Sequence, residues 1–428
     1  LGTNCSSRAR ISAVWDQTAD VFESAAPGSP TPQTQKFQDF SKKDALSHYR
    51  NASRAHSLPS MADENTFYPI PVLVWGTGNM GRASIRAVVA NPGLELAAVV
   101  VSDEAKAGRD AGDLADLGRT TGVLATRDAD AALATLKGGG AVAYTASGEL
   151  RPEEAAVDIA RALAGGAVVV SPSVYALYDP RNAPAELREP LEKACAEGGS
   201  ALFMSGIDPG WGNDLLPALV SGLASEVDQV RCQEIFDYST YDAEDSVRYI
   251  VGMGQPMDYE PMMVAPGIPS MVWGGQVQLI ARALGVEVDE LRETVDRQAL
   301  DATVTTALGD FEAGTQGALR FEVQGIVDGE PRIVIEHVTR ITNACALDWP
   351  LPPDGGDGAH RVIIEGRPRI EINVEATDEG GNRAAGGNAT AANRLVNAIP
   401  WLRTAAPGLY DGLDVPLLPS TYLSKQVG

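Results

Sequence analysis

From Tyr68 onward, short apolar runs alternate with stretches whose apolar residues recur at helical spacing. The runs Val72–Trp75, Leu96–Val101, Val123–Thr126, Ala141–Thr145, Ala167–Val170 and Ala201–Met204 predict strands. Arg82–Ala90, Ala129–Leu136, Glu153–Leu163 and Ala185–Glu197 predict helices between them, and a further helix runs from about Asn213 to Leu223. Strands and helices in this alternation imply a parallel sheet covered on both faces, an α/β domain of Rossmann type over residues 61–225. The character then changes. Val227–Tyr238, Leu319–Val327, Arg332–Ile341 and Arg361–Ala376 read as longer strands with hairpin turns such as Asp328-Gly329, interrupted by helical segments at Ser246–Met253 and Val272–Leu284. This predicts a second, α+β domain over residues 226–385 carrying an open mixed sheet. Thr377–Asn388 reads as a Gly/Asn-rich linker, and a helix from Thr390 to about Ile399 is expected to return residues 386–428 to the first domain.

The first strand breaks into Gly76-Thr77-Gly78-Asn79-Met80-Gly81-Arg82, and a helix follows. Gly76 permits the turn, Gly78 keeps side-chain atoms off an approaching pyrophosphate, and Gly81 allows close packing of helix on strand. The helix N-terminus offers backbone N–H groups to the phosphates. Glycine turns are common, but a strand before, a helix after and a second strand from Leu94 to Val101 complete a βαβ unit, so the turn reads as a dinucleotide site. Thr77, Asn79 and Met80 within the turn, and Thr145, Ala146, Ser147, Pro172 and Ser173 after later strands, are assigned to the cofactor with the three glycines.

The second strand ends at Val101-Ser102-Asp103, where an acidic residue normally holds the ribose of NAD. Val101 cannot make that contact, whereas Ser102 can donate to a 2′-phosphate with Arg82 or Lys106 nearby. Asp103 and Glu104 argue the other way. The balance leans to NADP(H) over NAD(H).

Of 428 residues, 34 are basic and 57 acidic, a net charge of −23, which argues against nucleic acid or an anionic membrane as partner. No apolar run approaches the ~20 residues of a membrane span. The scattered Cys5, Cys195, Cys232 and Cys345 suggest neither a disulfide framework nor a zinc site, so no metal is assigned and a reducing cytoplasm is expected. Residues 1 to 60, rich in Ser, Ala, Gln and Pro, read as a disordered extension ahead of a natural start at Met61.

Gly76–Arg82, the stretch Gly108-Arg109-Asp110-Ala111-Gly112-Asp113-Leu114, and Ser205-Gly206-Ile207-Asp208-Pro209-Gly210 occur in an order that resembles dihydrodipicolinate reductase-like proteins. The tail Asn397-Ala398-Ile399-Pro400 with Pro407-Gly408-Leu409 is similar to the 2,4-diaminopentanoate dehydrogenase branch, which includes native amine dehydrogenases. From about Pro69 to the C-terminus, the resemblance implies a nicotinamide-dependent reductase with its active site between the domains. It acts on a C=N/C–N or C=O bond of a small, partly apolar substrate. A homodimer is expected, the second domain serving substrate binding and oligomerisation.

Two departures bear on the chemistry. The paired histidines, lysine and Ser-Gly-Thr turn of true dihydrodipicolinate reductases have no counterpart beside His48, His56, His337 and His360, which argues against that substrate. The amine dehydrogenases place a glutamate pair after the fifth strand, where this chain reads Ser171-Pro172-Ser173-Val174-Tyr175-Ala176-Leu177-Tyr178. Tyr175 then stands in the glutamate's place as a candidate acid, with a half-buried structural tyrosine as the alternative. Asp208, before a Pro-Gly turn at the domain junction, is the second candidate, with a helix-capping carboxylate as its alternative. His337, mid-strand with Thr339 on its face and Glu336 on the other, reads as structural; Trp211, Trp273 and Tyr238 line a pocket or belong to the core. Carbonyl or alcohol chemistry without ammonia, and a catalytically silent dinucleotide sensor, stay open as alternatives.

Overall fold

The computed structural model describes residues 69–148, 151–241 and 243–420; the extension expected at residues 1 to 60 lies outside them. The first lobe runs β1 (Ile70–Trp75), α1 (Asn79–Ala90), β2 (Leu94–Val100), α2 (Ala111–Leu114), α3 (Ala129–Ala134), β3 (Ala141–Tyr144), α4 (Pro152–Ala164), β4 (Val168–Ser171), α5 (Ala185–Gly198), β5 (Ala201–Met204) and α6 (Leu215–Ser221). The second contains β6 (Glu226–Asp237), α7 (Ile268–Leu284), β7 (Glu290–Ala299), the small pair β8 (Val304–Thr306) and β9 (Gly309–Phe311), then β10 (Gln316–Val327), β11 (Glu330–Arg340), β12 (Gly358–Arg367) and β13 (Ile370–Val374). The chain closes with α8 (Arg383–Leu402) and β14 (Gly408–Tyr410).

The first sheet has the order β14-β5-β4-β3-β1-β2 with every pair parallel. β1 shows why it must be covered twice. Val72 and Val74 point into one core with Ile85 and Val88 of α1 and Leu395, Val396 and Ile399 of α8. Leu73 and Trp75 point into another with Ile159 and Leu163 of α4 and Leu191 of α5. A strand apolar on both faces is stable only between two layers of helix.

The second sheet, β13-β12-β6-β11-β10-β7, is antiparallel except for the parallel pair β6–β11. Its inner face packs Val230, Cys232, Val323, Ile333, Val362 and Ile364 against Trp273, Val277 and Ile280 of α7. Its outer face carries an ion-pair network in which Arg231 meets Glu322 and Glu336 at 2.7 and 2.6 Å, and Arg320 meets the same two at 3.0 and 2.7 Å.

Several segments depart from the sequence expectation. Val123–Thr126 forms isolated bridges, Val100 to Thr126 and Asp110 to Leu124, rather than a strand. The Asp110 carboxylate accepts from the N–H groups of Gly112, Thr121 and Gly122, which ties the start of this stretch to the Asp110 loop, while Thr126 bonds the end of β2. Ser246–Met253 is a five-residue π-type turn over Ser246–Ile250, with Val247, Val251 and Met253 buried around it. The expected single strand Arg361–Ala376 is a hairpin of β12 and β13. The linker expected at Thr377–Asn388 is partly helix, because Asn382 caps α8 by accepting from Ala385 N. Gly386 sits inside that helix for contact: a Cβ there would lie 2.5 Å from Thr377 Cα. Pro400 lies within the last turn of α8 instead of ending it.

Candidate active site

The glycine turn sits where the sequence places it, between β1 and α1. Gly76 has φ +112°, and a Cβ there would strike the Ala146 backbone nitrogen at 2.7 Å; a Cβ on Gly81 would lie 2.0 Å from the Gly76 carbonyl oxygen. Gly78 differs. It is the N-cap of α1, makes no side-chain cap, and a Cβ built on it meets nothing within 4 Å. The first-turn N–H groups of α1 therefore open onto free space, as a pyrophosphate site requires. The Met80 side chain packs on the core, so its backbone is what it can offer a ligand. Thr145 Oγ1 donates to the Trp75 and Gly76 carbonyls at 3.1 and 3.2 Å and fixes the turn.

Beside the turn lies a cleft of about 340 Å³ lined by Thr77, Gly78, Asn79, Arg82, Lys106 and Arg109, among others. Lys106 Nζ reaches the Thr77 carbonyl at 3.5 Å, and Arg82 bonds Asn79 Oδ1 at 2.8 Å. Ser102 is exposed at the end of β2. Asp103 is engaged in capping the short turn Glu104–Lys106, accepting from Ala105 N at 2.9 Å, and Glu104 faces Arg127 at 3.8 Å.

The loops after β3 and β4 are braced together. Ser173, almost fully buried, donates to the Ala146 carbonyl at 2.6 Å, and the Tyr178 hydroxyl donates to the Pro172 carbonyl at 2.7 Å. The Ser147 carbonyl accepts from Arg151 at 3.1 Å. Tyr175 opens a short 3-10 turn after β4, half-buried, with its ring edge-on to Tyr178 at 5.8 Å.

Asp208 follows β5 at the same carboxyl edge of the sheet, where open α/β sheets bind their ligands. The Trp273 indole N–H, from α7 of the second lobe, donates to its carboxylate. Across from it the second sheet presents one transverse row. Phe321, His337, Glu234 and His360 are in-register neighbours on β10, β11, β6 and β12. Asp208, Glu234 and His337 bring their polar atoms within 4.8 Å of one another. Glu234 Oε1 is 3.6 Å from His337 Nε2, and its Oε2 is 3.4 Å from His360 Nε2. The Tyr238 hydroxyl donates to Glu234 Oε1 at 3.3 Å. Rings wall the row: Phe321 stacks on His337 at 5.1 Å, and Trp211 and Phe236 flank His360 at 5.3 and 5.2 Å. A second cleft of about 830 Å³ connects Asn79 and Arg82 to Tyr241, whose ring stacks on Tyr238 at 4.8 Å.

Burial, joined by the charge on Glu234, pushes the Asp208 carboxyl well above the usual carboxylate range. Burial also pushes Glu234 upward, but the His337 and His360 imidazoles and the Tyr238 hydroxyl outweigh it and leave Glu234 below its ordinary value. His337 is held below its ordinary value by burial, against the pull of Glu234. The environment thus separates the two carboxyl groups, favouring the proton on Asp208 over Glu234, and disfavours the charged form of His337.

Tyr175, Asp208 and the glycine turn all lie at one edge of the first sheet. The sequence reading did not bring Glu234, His360 and His337 to that edge. The available signal was an acidic residue breaking the apolar face of β6, between Cys232 and Phe236.

Residues 213–426 match the family of the 2,4-diaminopentanoate dehydrogenase C-terminal domain, and residues 70–150 match the dihydrodipicolinate reductase N-terminus. An amine dehydrogenase of Streptomyces virginiae is 68% identical over 352 residues, covering 82% of this chain and 97% of that enzyme. A 2,4-diaminopentanoate dehydrogenase of Acetoanaerobium sticklandii is 26% identical over 235 residues, 54% of this chain and 62% of that protein. The solved structure of an amine dehydrogenase from Mycobacterium smegmatis aligns with TM-score 0.64 at 21% identity, covering 82% and 97% of the two chains, a likeness of fold.

Proposed function

We infer the function from the premise that this chain belongs to the 2,4-diaminopentanoate dehydrogenase family, in the branch of the amine dehydrogenases. It is a nicotinamide-dinucleotide-dependent oxidoreductase acting on a carbon–nitrogen bond. The observation that carries this is the 68% identity along 97% of an amine dehydrogenase. The substrate is a small primary amine, oxidised to its carbonyl compound and ammonia, or the reverse.

The open space over Gly78 and the uncapped start of α1 fit a dinucleotide pyrophosphate. The backbone from Gly76 to Gly81 holds it, with Thr145, Ala146, Ser147, Pro172 and Ser173 framing the nicotinamide end. The cofactor, when bound, supplies the hydride chemistry. NADP(H) is the preferred form: Ser102, Lys106 and Arg109 are available to a 2′-phosphate, while Asp103 caps a turn and Glu104 leans to Arg127. Asp208, carrying a proton and fixed by Trp273, is the acid that protonates a departing nitrogen. Tyr175 lines the same edge and orients the substrate through its hydroxyl.

The second lobe, which carries the Arg231–Glu322–Glu336–Arg320 network, is the one through which two copies form a homodimer. Light scattering giving a monomer mass at micromolar concentration would reject that arrangement. Among the described residues no helix is long and apolar enough to cross a membrane. The free thiols of Cys195, Cys232 and Cys345 suit a reducing cytoplasm.

The deciding experiment is oxidation of a panel of primary amines and the matching alcohols with NADP+ and NAD+. Amine turnover supports the reading. Alcohol turnover alone replaces it with carbonyl chemistry, and tight cofactor binding with no turnover replaces it with a sensor.

A further inference from the structure

Amine oxidation needs a base, and the segment after β4 carries no carboxylate between Ser171 and Tyr178. Asp208 is the weaker base candidate, because the Trp273 N–H already occupies its carboxylate and burial pushes it well above the usual carboxylate range. The carboxylate that faces this edge comes from the other lobe. Glu234 lies mid-strand on β6, its side chain 12% exposed, with an imidazole at register on either side. A buried carboxylate ordinarily binds a cation or strong donors. The partners of Glu234 here are Tyr238 and two histidines at 3.4 and 3.6 Å, distances that hold it loosely and leave room for another donor. No guanidinium or lysine ammonium is among the chief charges acting on Glu234 or Asp208. His337 is 2% exposed, and neither of its ring nitrogens has a hydrogen-bond partner among the described residues. A site with one carboxylate, polar groups short of partners and aromatic walls is built for a nitrogen cation that brings its own N–H donors.

We propose that Glu234, held between His337 and His360 and facing Asp208, receives the substrate ammonium and is the base that takes its proton. The proposal rests on the amine-oxidising reading above. In the forward step an N–H bond of the ammonium breaks and its proton passes to a Glu234 oxygen. The C–H bond breaks with its electron pair leaving as hydride to the oxidised cofactor, and the freed nitrogen lone pair forms the second bond of an iminium. Water adds to that carbon and gives one proton to Asp208 as Asp208 passes its own to nitrogen; the C–N bond then breaks with its electrons on nitrogen, and the remaining O–H bond breaks with its electrons forming the C=O bond and its proton passing to the ammonia. Ketone or aldehyde and ammonium leave. The proton on Glu234 is the one released to solvent in each turnover. His337 and His360 are positioning residues: their Nε2 atoms stand 3.6 and 3.4 Å from the two Glu234 oxygens and bound the place the carboxylate occupies.

The test uses the full chain and cyclohexylamine, isopropylamine and benzylamine as probes, with NADPH binding followed by fluorescence. Glu234→Gln should lower kcat for amine oxidation by about 10²–10⁴-fold, as loss of a general base does. The NADPH dissociation constant should stay within about twofold, since Glu234 is on the second sheet and not at the glycine turn. Glu234→Asp should recover part of the rate. Four groups face Glu234: His337 from β11, His360 from β12, Tyr238 from its own strand and Asp208 from the loop after β5. His337→Asn and His360→Asn should each shift the acidic limb of the kcat profile, whereas residues that only fill the core would lower stability and leave that limb in place. Full amine turnover in Glu234→Gln overturns the proposal. So does equal loss in Glu234→Gln and Glu234→Asp with a collapsed melting transition, or a stoichiometric divalent ion that disappears with Glu234→Gln. A wild type that oxidises none of the probes but oxidises alcohols would instead defeat the amine reading itself.

Discussion

Trp273 of the second lobe donates its indole N–H to Asp208 of the first, so a hydrogen bond joins α7 to the loop after β5 at the carboxyl edge of the first sheet. The bond crosses the boundary between the sheets and fixes the orientation of a carboxyl that burial pushes well above the usual carboxylate range. Trp273→Phe keeps most of the ring packing on Phe321 and removes the donor. A buried acceptor left without its partner costs about 1–3 kcal/mol. The expected result is a lower denaturant midpoint of that size together with a kcat loss of about tenfold. A midpoint and a kcat both equal to wild type would show that the bond is idle.

Gly78→Val tests the dinucleotide site. The added side chain enters empty space, so the fold tolerates it, but that space is where the phosphates approach. Calorimetry should show cofactor affinity reduced by at least about tenfold, some 1.4 kcal/mol. The melting temperature should stay close to wild type. Unchanged affinity would remove the cofactor from this turn.

Cofactor choice is tested at the cleft beside the turn, where Arg82, Lys106 and Arg109 stand with Asp113 and Asp116. The double variant Lys106→Ala, Arg109→Ala should weaken NADPH by about tenfold or more while leaving NADH almost unaffected, because a 2′-phosphate is the group those cations answer. The measurement is the ratio of the two dissociation constants before and after substitution. A wild-type preference for NADH would place Asp103 or Glu104 on the ribose instead.

Tyr175→Phe removes one hydroxyl from a half-buried ring that keeps its edge contact with Tyr178. If the phenol touches substrate, kcat falls by at least about tenfold with cofactor affinity little changed. Full turnover would make the ring structural and leave proton transfer to the two carboxyl groups.

Acid should expose the outer-face network. Burial tends to raise Glu322, but bonds from Arg231 and Gln324 and the charge of Arg320 outweigh it, so its folded value lies below the usual range. A depressed folded pKa means stability that is present above the unfolded value, near 4.5, and is lost as pH falls through the folded one. Glu322→Gln should therefore lower stability at pH 7 by about 1–3 kcal/mol. The gap to wild type should close as pH falls below about 4.5 and through the lower folded value. Melting curves across that range check it; a gap independent of pH would deny the linkage.

The sequence by itself determined the features whose cause is local. The turn from Gly76 to Gly81 is legible because the steric demand at Gly76 and Gly81 comes from the turn itself and the chain just after β3. The parallel sheet is legible because β1, β3, β4 and β5 are apolar on both faces, a pattern few arrangements satisfy. β7, with the sequence Glu-Leu-Arg-Glu-Thr-Val-Asp-Arg-Gln-Ala, was not legible: it is a sheet edge, where charge replaces the apolar signal. The glycines of α8 misled for the opposite reason, since Gly386 answers to the close backbone of Thr377 rather than to a loop. The centre at Glu234 was beyond the sequence altogether. Glu234 meets His337 and His360 because β6 pairs with β11 on one side and β12 on the other in one particular register, and meets Asp208 because the two lobes pack together. Register is set by the whole sheet, and a slip of one residue would turn Glu234 to the outer face. Only the tertiary structure could bring that carboxylate to the edge where the sequence leads one to expect the cofactor.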